Sequence, residues 1–334
     1  MNRQVNLRDI TGNASVNTIS TTYEGEFAGE YISASLLSGV TLDKGGVTVK
    51  PNVKYKEVIK NVSSTNFIAD AGCDFSETAD AISMTEQVIE PKELQVNLEL
   101  CKKDFRSDWE AVAMGYSAFD NMPPKFSDFI LSHVAAKVAE QTETDLWTGP
   151  ASTAGRFQGL HVRAKADSSL PAGQELTSAT ITSANVITEL GKIVDAIPSE
   201  IYYKDDLHIY VSQKIAKAYV RALGGFAAVT NVAGTENVGS IGANGVNSMG
   251  TLWYSGQDLS FDGVKLFVTN GLTGDKAFAA QKSNLYFGTG LMNDYNTVKL
   301  LDMQDLDGSQ NVRIIMRYTA GTQYGQITEI VTYG

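Results

Sequence analysis

The sequence is poor in the residues that carry cross-links, metals and sharp chain breaks. Its 334 residues include two cysteines, three histidines and seven prolines. Cys73 and Cys101 lie far apart with no Cys-x-x-Cys, so neither a disulfide framework nor a thiolate zinc site is indicated. A reducing intracellular birthplace is the expected one. His133, His161 and His208 fall in a helical stretch, a post-helix segment and an apolar strand, without the spacing of a metal or catalytic pair. Charge is also sparse, at 19% against the ~25% of an average soluble protein. Its balance is acidic: 38 Asp and Glu face 27 Lys and Arg, for a net charge of −11. That lacks the basic surplus with which a generic nucleic-acid binder neutralises phosphates. No uninterrupted apolar run approaches 18 residues, and no basic segment followed by an apolar one opens the chain. Neither a membrane helix nor a signal peptide is expected.

The motifs of common enzyme chemistries are missing as well. Gly239-Ser240-x-Gly242 fails the nucleophile-elbow pattern because position 238 is Val. Gly239, Gly242 and Gly245 have the wrong spacing for a dinucleotide fingerprint, and no Gly-Lys-Ser/Thr phosphate loop exists. Asp302, Asp305 and Asp307 are misplaced for a calcium loop and no Glu closes it, so a turn at Asp307-Gly308 is the better reading. Carboxylates are plentiful enough to leave a glycosidase dyad open, but nothing points to one. No cofactor, no metal and no enzymatic activity are expected.

What is present begins with a long helix. Phe126, Phe129, Ile130, Val134, Val138, Leu146 and Trp147 recur at three-and-four spacing, which makes one buried stripe. Lys137, Glu140, Glu143 and Asp145 fall between them and are expected on the solvated or partner-facing side. Pro123–Pro124 suits its first turn, and Gly149-Pro150 ends it. At 1.5 Å per residue, about 22 residues give a rod of roughly 33 Å, long for a globular domain.

Upstream, residues 1 to about 24 are polar and aperiodic, and alone such a segment should be disordered. Glu26–Leu37 reads as a short helix. Gly46–Val62 is extended, with Pro51 demoting it to an edge or bulged strand, and Glu86–Leu100 is the expected return strand. Together they predict a two-stranded projection, which is marginal in water without a partner surface. Its charge is segregated. Lys44, Lys50, Lys54, Lys56 and Lys60 crowd the first limb, and Asp70 to Glu99 carry eight carboxylates along the tip and second limb. The lysines either guard an edge strand from aggregation or set register against a neighbouring subunit.

Downstream, Ser183–Pro198 is amphipathic, with Ser183 as the expected N-cap. Leu207–Ser212 is a buried strand followed by a helix to Leu223. Residues 224–250 are rich in Gly, Ala, Asn and Val and carry Glu236 as their one charge. Val264–Thr269, Ser283–Phe287, Val298–Leu301, Val312–Arg317 and Gln326–Thr332 read as strands.

The order of these pieces resembles the major capsid proteins of tailed double-stranded DNA phages, which have the HK97-like fold. The resemblance covers most of the chain. It is carried by the long helix with its exit at Leu146-Trp147-Thr148-Gly149 and Phe157-Gln158-Gly159-Leu160. Near the end, Asn284-Leu285-Tyr286-Phe287-Gly288-Thr289-Gly290-Leu291 and Tyr318-Thr319-Ala320-Gly321 add to it. It implies an α+β chain with an N-terminal arm at residues 1–42 and an extended β-hairpin loop at 43–98. A peripheral domain would span 99–182 with 285–320, on a spine helix at about 123–148, and an axial domain 183–284 with 321–334. It implies a structural protein that tiles hexamers and pentamers into an icosahedral shell around the phage genome. That shell belongs to the virion capsid and is assembled in the host bacterial cytoplasm. Its partners would be copies of itself, a portal, decoration proteins and a separate scaffolding protein, since Met1 heads the chain. The packaged DNA would be enclosed without sequence-specific contacts, a role that suits an acidic chain. The candidate subunit-contact residues are Lys50, Lys54, Lys56, Lys60, Glu140, Glu143 and Asp145. An encapsulin-type nanocompartment shell shares the fold and stands as the near alternative. A monomeric β-rich enzyme or carbohydrate-binding module stands further off, and a tail-tube protein does not accommodate the long helix.

Overall fold

The computed structural model describes residues 39–53, 55–64, 68, 82–101, 124–223, 259–290, 299–304 and 308–334. The polar arm, the 26–37 helix, the loop tip and the 224–250 segment lie outside the described residues. A single turn, α1 (Val40–Asp43), leads into β1 (Thr48–Lys50), β2 (Glu57–Ser64), β3 (Ile82–Ile89) and β4 (Lys92–Cys101). The rod follows as α2 (Pro124–Thr148), 25 residues or about 37 Å long, then the short α3 (Leu160–Ala166). Next come β5 (Glu175–Leu176), α4 (Val186–Asp195), β6 (Leu207–Ser212) and α5 (Gln213–Leu223). The chain closes with β7 (Leu259–Phe261), β8 (Val264–Thr269), β9 (Ala277–Gln281), β10 (Leu285–Thr289), β11 (Lys299–Asp302), β12 (Asn311–Tyr324) and β13 (Val331–Tyr333).

Two sheets share one core. The six-stranded sheet has the order β5-β13-β9-β6-β8-β7. One face, with Ile209, Val211, Ala277, Ala279 and Val331, packs against Leu190, Ile193 and Val194 of α4 and Ile215 and Tyr219 of α5. The opposite face meets the end of the rod, where the Trp147 ring lies 4.7 Å from Tyr210 and 5.6 Å from Phe278. The same core continues through Phe157 and Leu160 to Leu285, Phe287 and Tyr324 of the five-stranded sheet. That sheet is built on the 14-residue β12, which pairs with β4 along one edge and with β10 and β11 along the other; β1 adds parallel to β10.

Two local expectations are corrected, and one strand appears that the sequence reading did not mark. Glu86–Leu100 is not one return strand: β3 pairs with β2, whereas β4 turns away to pair with β12 over ten residues. The break falls at Glu90-Pro91, where proline has no N–H for a ladder. Gly288 and Gly321, cross-strand partners in β10 and β12, form the seat for this turn. A Cβ at Gly288 would stand 2.6 Å from Ile89 Cγ2, and one at Gly321 would stand 2.9 Å from Pro91 Cα. Second, the cap of α4 is Asn185 rather than Ser183; its Oδ1 accepts from Thr182 N–H at 2.8 Å and Thr182 O–H at 3.1 Å. The unmarked strand, β9 (Ala-Phe-Ala-Ala-Gln), is buried on both faces at the middle of the sheet, although alanine is a weak strand former. Ala277 and Ala279 let α4 and α5 approach on one face, while Phe278 fills the other against Trp147. The expected turn before β12 is supported at Gly308, which has φ 72°, while Asp307 lies outside the described residues.

Substituting Gly321 with Ala should force Pro91 to move and lower stability by about 1–3 kcal/mol, read as a fall in the urea midpoint. An unchanged midpoint would remove the seat argument. A second expectation concerns His161, buried beneath Phe278 with Nε2–H donating to Tyr333 O at 3.3 Å. Burial, helped by the charges of Lys276 and Lys165, lowers its pKa from 6.5 to about 4. The folded state keeps it neutral, so its contribution is whole above pH 6.5 and is lost as pH falls toward 4. Between those limits the protein should lose on the order of 3 kcal/mol through this group. The His161→Gln variant should lack that part of the slope in urea titrations at stepped pH.

Candidate assembly surfaces

The far end of α2 is where three distant parts of the chain meet. Glu143 and Asp145, expected on a solvated or partner-facing side, are instead 1% and 2% exposed. The reason is geometric: over the last turns, α2 is enclosed by the 39–46 segment, the β8–β9 turn and the 149–159 loop, so its polar face is buried too. Glu143 Oε2 accepts from Thr41 N–H at 3.0 Å, and Oε1 accepts from Thr41 O–H at 2.5 Å. Backbone N–H groups of Gly271 and Asn270 add to the cage. Burial pushes the carboxyl above its ordinary 4.5, and the donors pull it part of the way back. Trp147 Nε1–H donates to Thr41 Oγ at 2.9 Å, and Tyr210 O–H donates to Gly46 O at 2.5 Å. Asp145 accepts from Arg156 Nε at 2.6 Å and from Gln141 Nε2 at 2.9 Å, which fixes the loop after the rod. Both carboxylates are therefore committed within the chain. Glu140 pairs with Lys137 one turn away.

The β2–β3 hairpin has the opposite character. Opposed residues share a face, and the register places Val58 against Val88, Lys60 against Glu86, Val62 against Met84 and Ser64 against Ile82. This face is turned away from the body: Val58, Val62, Ile82, Met84 and Val88 are 38% to 73% exposed. The alternate face holds Ile59, Asn61, Gln87 and the fully buried Ile89, and it is fastened by polar contacts. Asn61 Nδ2 donates to Gly325 O at 2.5 Å, and Gln323 Nε2 donates to Val88 O at 3.0 Å. The hairpin thus seats its more polar face on its own subunit and presents its apolar face outward, the reverse of a self-contained sheet.

The predicted lysines divide. Lys50 pairs with Glu57 at 3.3 Å and stands 5.7 Å over the Tyr286 ring, and Lys56 pairs with Glu90 at 3.3 Å. Lys60 lies on the outward face opposite Glu86. Lys54 lies outside the described residues. Thr41, Arg156 and the outward apolar row were missed from sequence. The row was legible as the alternation of Val58, Lys60 and Val62, whereas nothing near Thr41 announces a partner 102 residues away.

No family model and no curated protein matches the sequence. Solved structures do. The capsid of an empty GTA particle, computed with C5 symmetry, aligns with a TM-score of 0.57 and 11% identity over 91% of this chain and 98% of that one. This chain has the HK97-like capsid fold. The capsid of Myoviridae phage XM1 aligns with a TM-score of 0.55 and 13% identity, covering 93% of this chain and 96% of that one. For the capsid of cyanophage P-SCSP1u the values are 0.52, 14%, 92% and 91%. At such identities the likeness lies in the course of the backbone. In this capsid fold the Glu143 cage ties the 39–46 segment to the rod and the six-stranded sheet.

Thr41→Val keeps the shape but removes the hydroxyl, leaving the carboxylate one donor short and the Trp147 N–H without its acceptor. A loss of about 2–3 kcal/mol is expected by urea unfolding, together with faster proteolysis ahead of residue 41. Wild-type values for both would show that the cage does not hold the segment.

Proposed function

We propose that this chain is the major capsid protein of a tailed double-stranded DNA phage, assembling as hexamers and pentamers into an icosahedral shell around the genome. The observation that carries the reading is a capsid fold, matched over nine-tenths of the chain, whose hairpin turns its apolar face away from its own subunit. Residues 43–98 contain the extended loop of this reading, which narrows to the β2–β3 hairpin because β1 and β4 join the five-stranded sheet, and an arm at 1–42 precedes it. Residues 99–182 with 285–320 form the peripheral domain, and 183–284 with 321–334 the axial domain. Second copies cover the hairpin's outward face, so binding is spread over broad apolar surfaces rather than a pocket. Lys54, Lys56 and Lys60 tune register and rate at their margins. A net charge of −11 suits a wall that encloses DNA without holding its phosphates. The role is structural rather than enzymatic. Its partners are further copies, a scaffolding protein, a portal and decoration proteins, in the virion after assembly in the host cytoplasm.

Expressed alone or with its scaffold, the chain should sediment as rings or closed shells, and electron microscopy should show them holding nucleic acid in infected cells. Val62→Asp with Met84→Asp should abolish these species while leaving far-UV circular dichroism unchanged. Lys54→Glu with Lys56→Glu should slow their formation. A chain that stays a monomer under all these conditions would overturn the shell reading, and shells loaded with protein cargo would make it a storage compartment.

A further inference from the structure

An edge strand presents a row of unpaired N–H and C=O groups, and proteins keep such strands short or guard them with lysine, proline or a bulge. β4 runs for ten residues along one side of β12, while β10 and β11 occupy the other side, so β4 is an edge of the five-stranded sheet. Its guards sit at one end. Pro91 precedes it, and Lys92 Nζ donates to Ala151 O at 3.3 Å and Arg156 O at 3.2 Å, which closes that end with the 149–159 loop. From Gln95 to Cys101 (Gln-Val-Asn-Leu-Glu-Leu-Cys) there is no proline, lysine or arginine, and the ladder to β12 has no bulge. Among the described residues no second strand pairs with this stretch. At its middle, Leu98 is 43% exposed, although its ladder partner Ile314 is fully buried.

The stretch also matches itself. Two copies laid antiparallel about Leu98 set Leu98 against Leu98, Val96 against Leu100 and Asn97 against Glu99. Apolar side chains then meet on one face, and amide meets carboxylate on the other. No charge stands directly opposite its like. Each Glu99 is already held within its own copy, accepting from Arg313 Nε at 2.9 Å and Asn311 Nδ2 at 2.5 Å. Lys299 and Arg317 stand behind the edge on β11 and β12, and Glu93 lies toward the loop-covered end. Alternate residues of each edge point N–H and C=O outward, so each copy offers the other both donors and acceptors. The symmetry suits a wall. A two-fold axis normal to the sheet joins antiparallel edges into one continuous sheet with like faces on the same side, as copies sharing one inside and one outside require.

We propose that β4 of one copy pairs antiparallel, about Leu98, with β4 of a second copy, merging two five-stranded sheets into one. Such a contact is smaller than a stable dimer needs, so its weight comes from repetition across the shell. The inference rests on the shell reading for the premise that copies meet, and it names a contact that reading leaves open.

The test uses full-length chains with Cys73 and Cys101 replaced by Ser. Leu98→Cys should then form a disulfide-linked dimer on oxidation, because side chains directly opposite in an antiparallel pair have Cβ atoms about 4.5–5.5 Å apart. Gln95→Cys, likewise exposed and on the same edge, should not link, since the two copies of that position stand roughly 20 Å apart in this register. Leu98→Lys, which supplies the missing guard, should cut assembled material about tenfold or more without lowering the unfolding midpoint. Shells that form with no Leu98→Cys link, or at wild-type yield with Leu98→Lys, would overturn the pairing and leave the shell reading standing. Linking of Gln95→Cys as readily as Leu98→Cys would mark chance collision and overturn it too. Linked dimers that never close into shells would support the pairing and count against the shell. A chain that stays monomeric and unlinked would overturn both.

Discussion

The buried Glu143 carboxylate is the contact on which the rest of the arrangement depends. A carboxylate taken out of water is costly unless donors surround it. Here the donors come from two separate places, Thr41 ahead of the hairpin and Gly271 with Asn270 in the β8–β9 turn, converging on the end of α2. The cost of leaving this group unsatisfied means that the 39–46 segment, the rod and the six-stranded sheet must be in place together. Trp147 reinforces the arrangement with apolar burial against Tyr210 and Phe278, while its indole N–H is spent on the same Thr41 hydroxyl.

With the body fixed, the hairpin is placed by backbone proximity rather than by a core of its own. Gly288 and Gly321 allow Ile89 and Pro91 to lie directly on the five-stranded sheet, so the chain can leave the hairpin and enter β4 in two residues. Polar side chains such as Asn61 and Gln323 then hold the inward face by hydrogen bonds. An apolar row on the outward face adds nothing to the stability of a lone subunit and exposes it to aggregation. It gains value where another surface removes it from water.

The helices and most strands were readable because periodicity survives without tertiary information. Val186, Leu190, Ile193 and Val194 mark α4, and Leu207–Ser212 marks β6. The readings that failed did so where long-range packing overrules local pattern. The strand β9 carries too much alanine to look like a strand, and its centrality comes from neighbours on both faces. Glu143 and Asp145 sit at positions a helical wheel assigns to solvent, and they are buried because other segments cover that face. Pro91 was visible in the sequence, but its effect of sending β4 to a different sheet depended on glycines some 200 residues downstream, as the Gly288–Gly321 pairing shows.

The amino-acid sequence by itself determined the elements: a long rod stopped by Gly149-Pro150, amphipathic α4, a proline-interrupted hairpin and an acidic, lightly charged surface. Their order was enough for the resemblance to capsid proteins. Only the tertiary structure decided which faces are spent inside the subunit and which remain. The physical reason is that burial is a property of what lies opposite a side chain. A carboxylate on the rod and a valine on the hairpin have local patterns that point the wrong way, and distant residues settle each: Thr41 and Gly271 draw Glu143 inward, and Asn61 with Gly325 turns Val62 out.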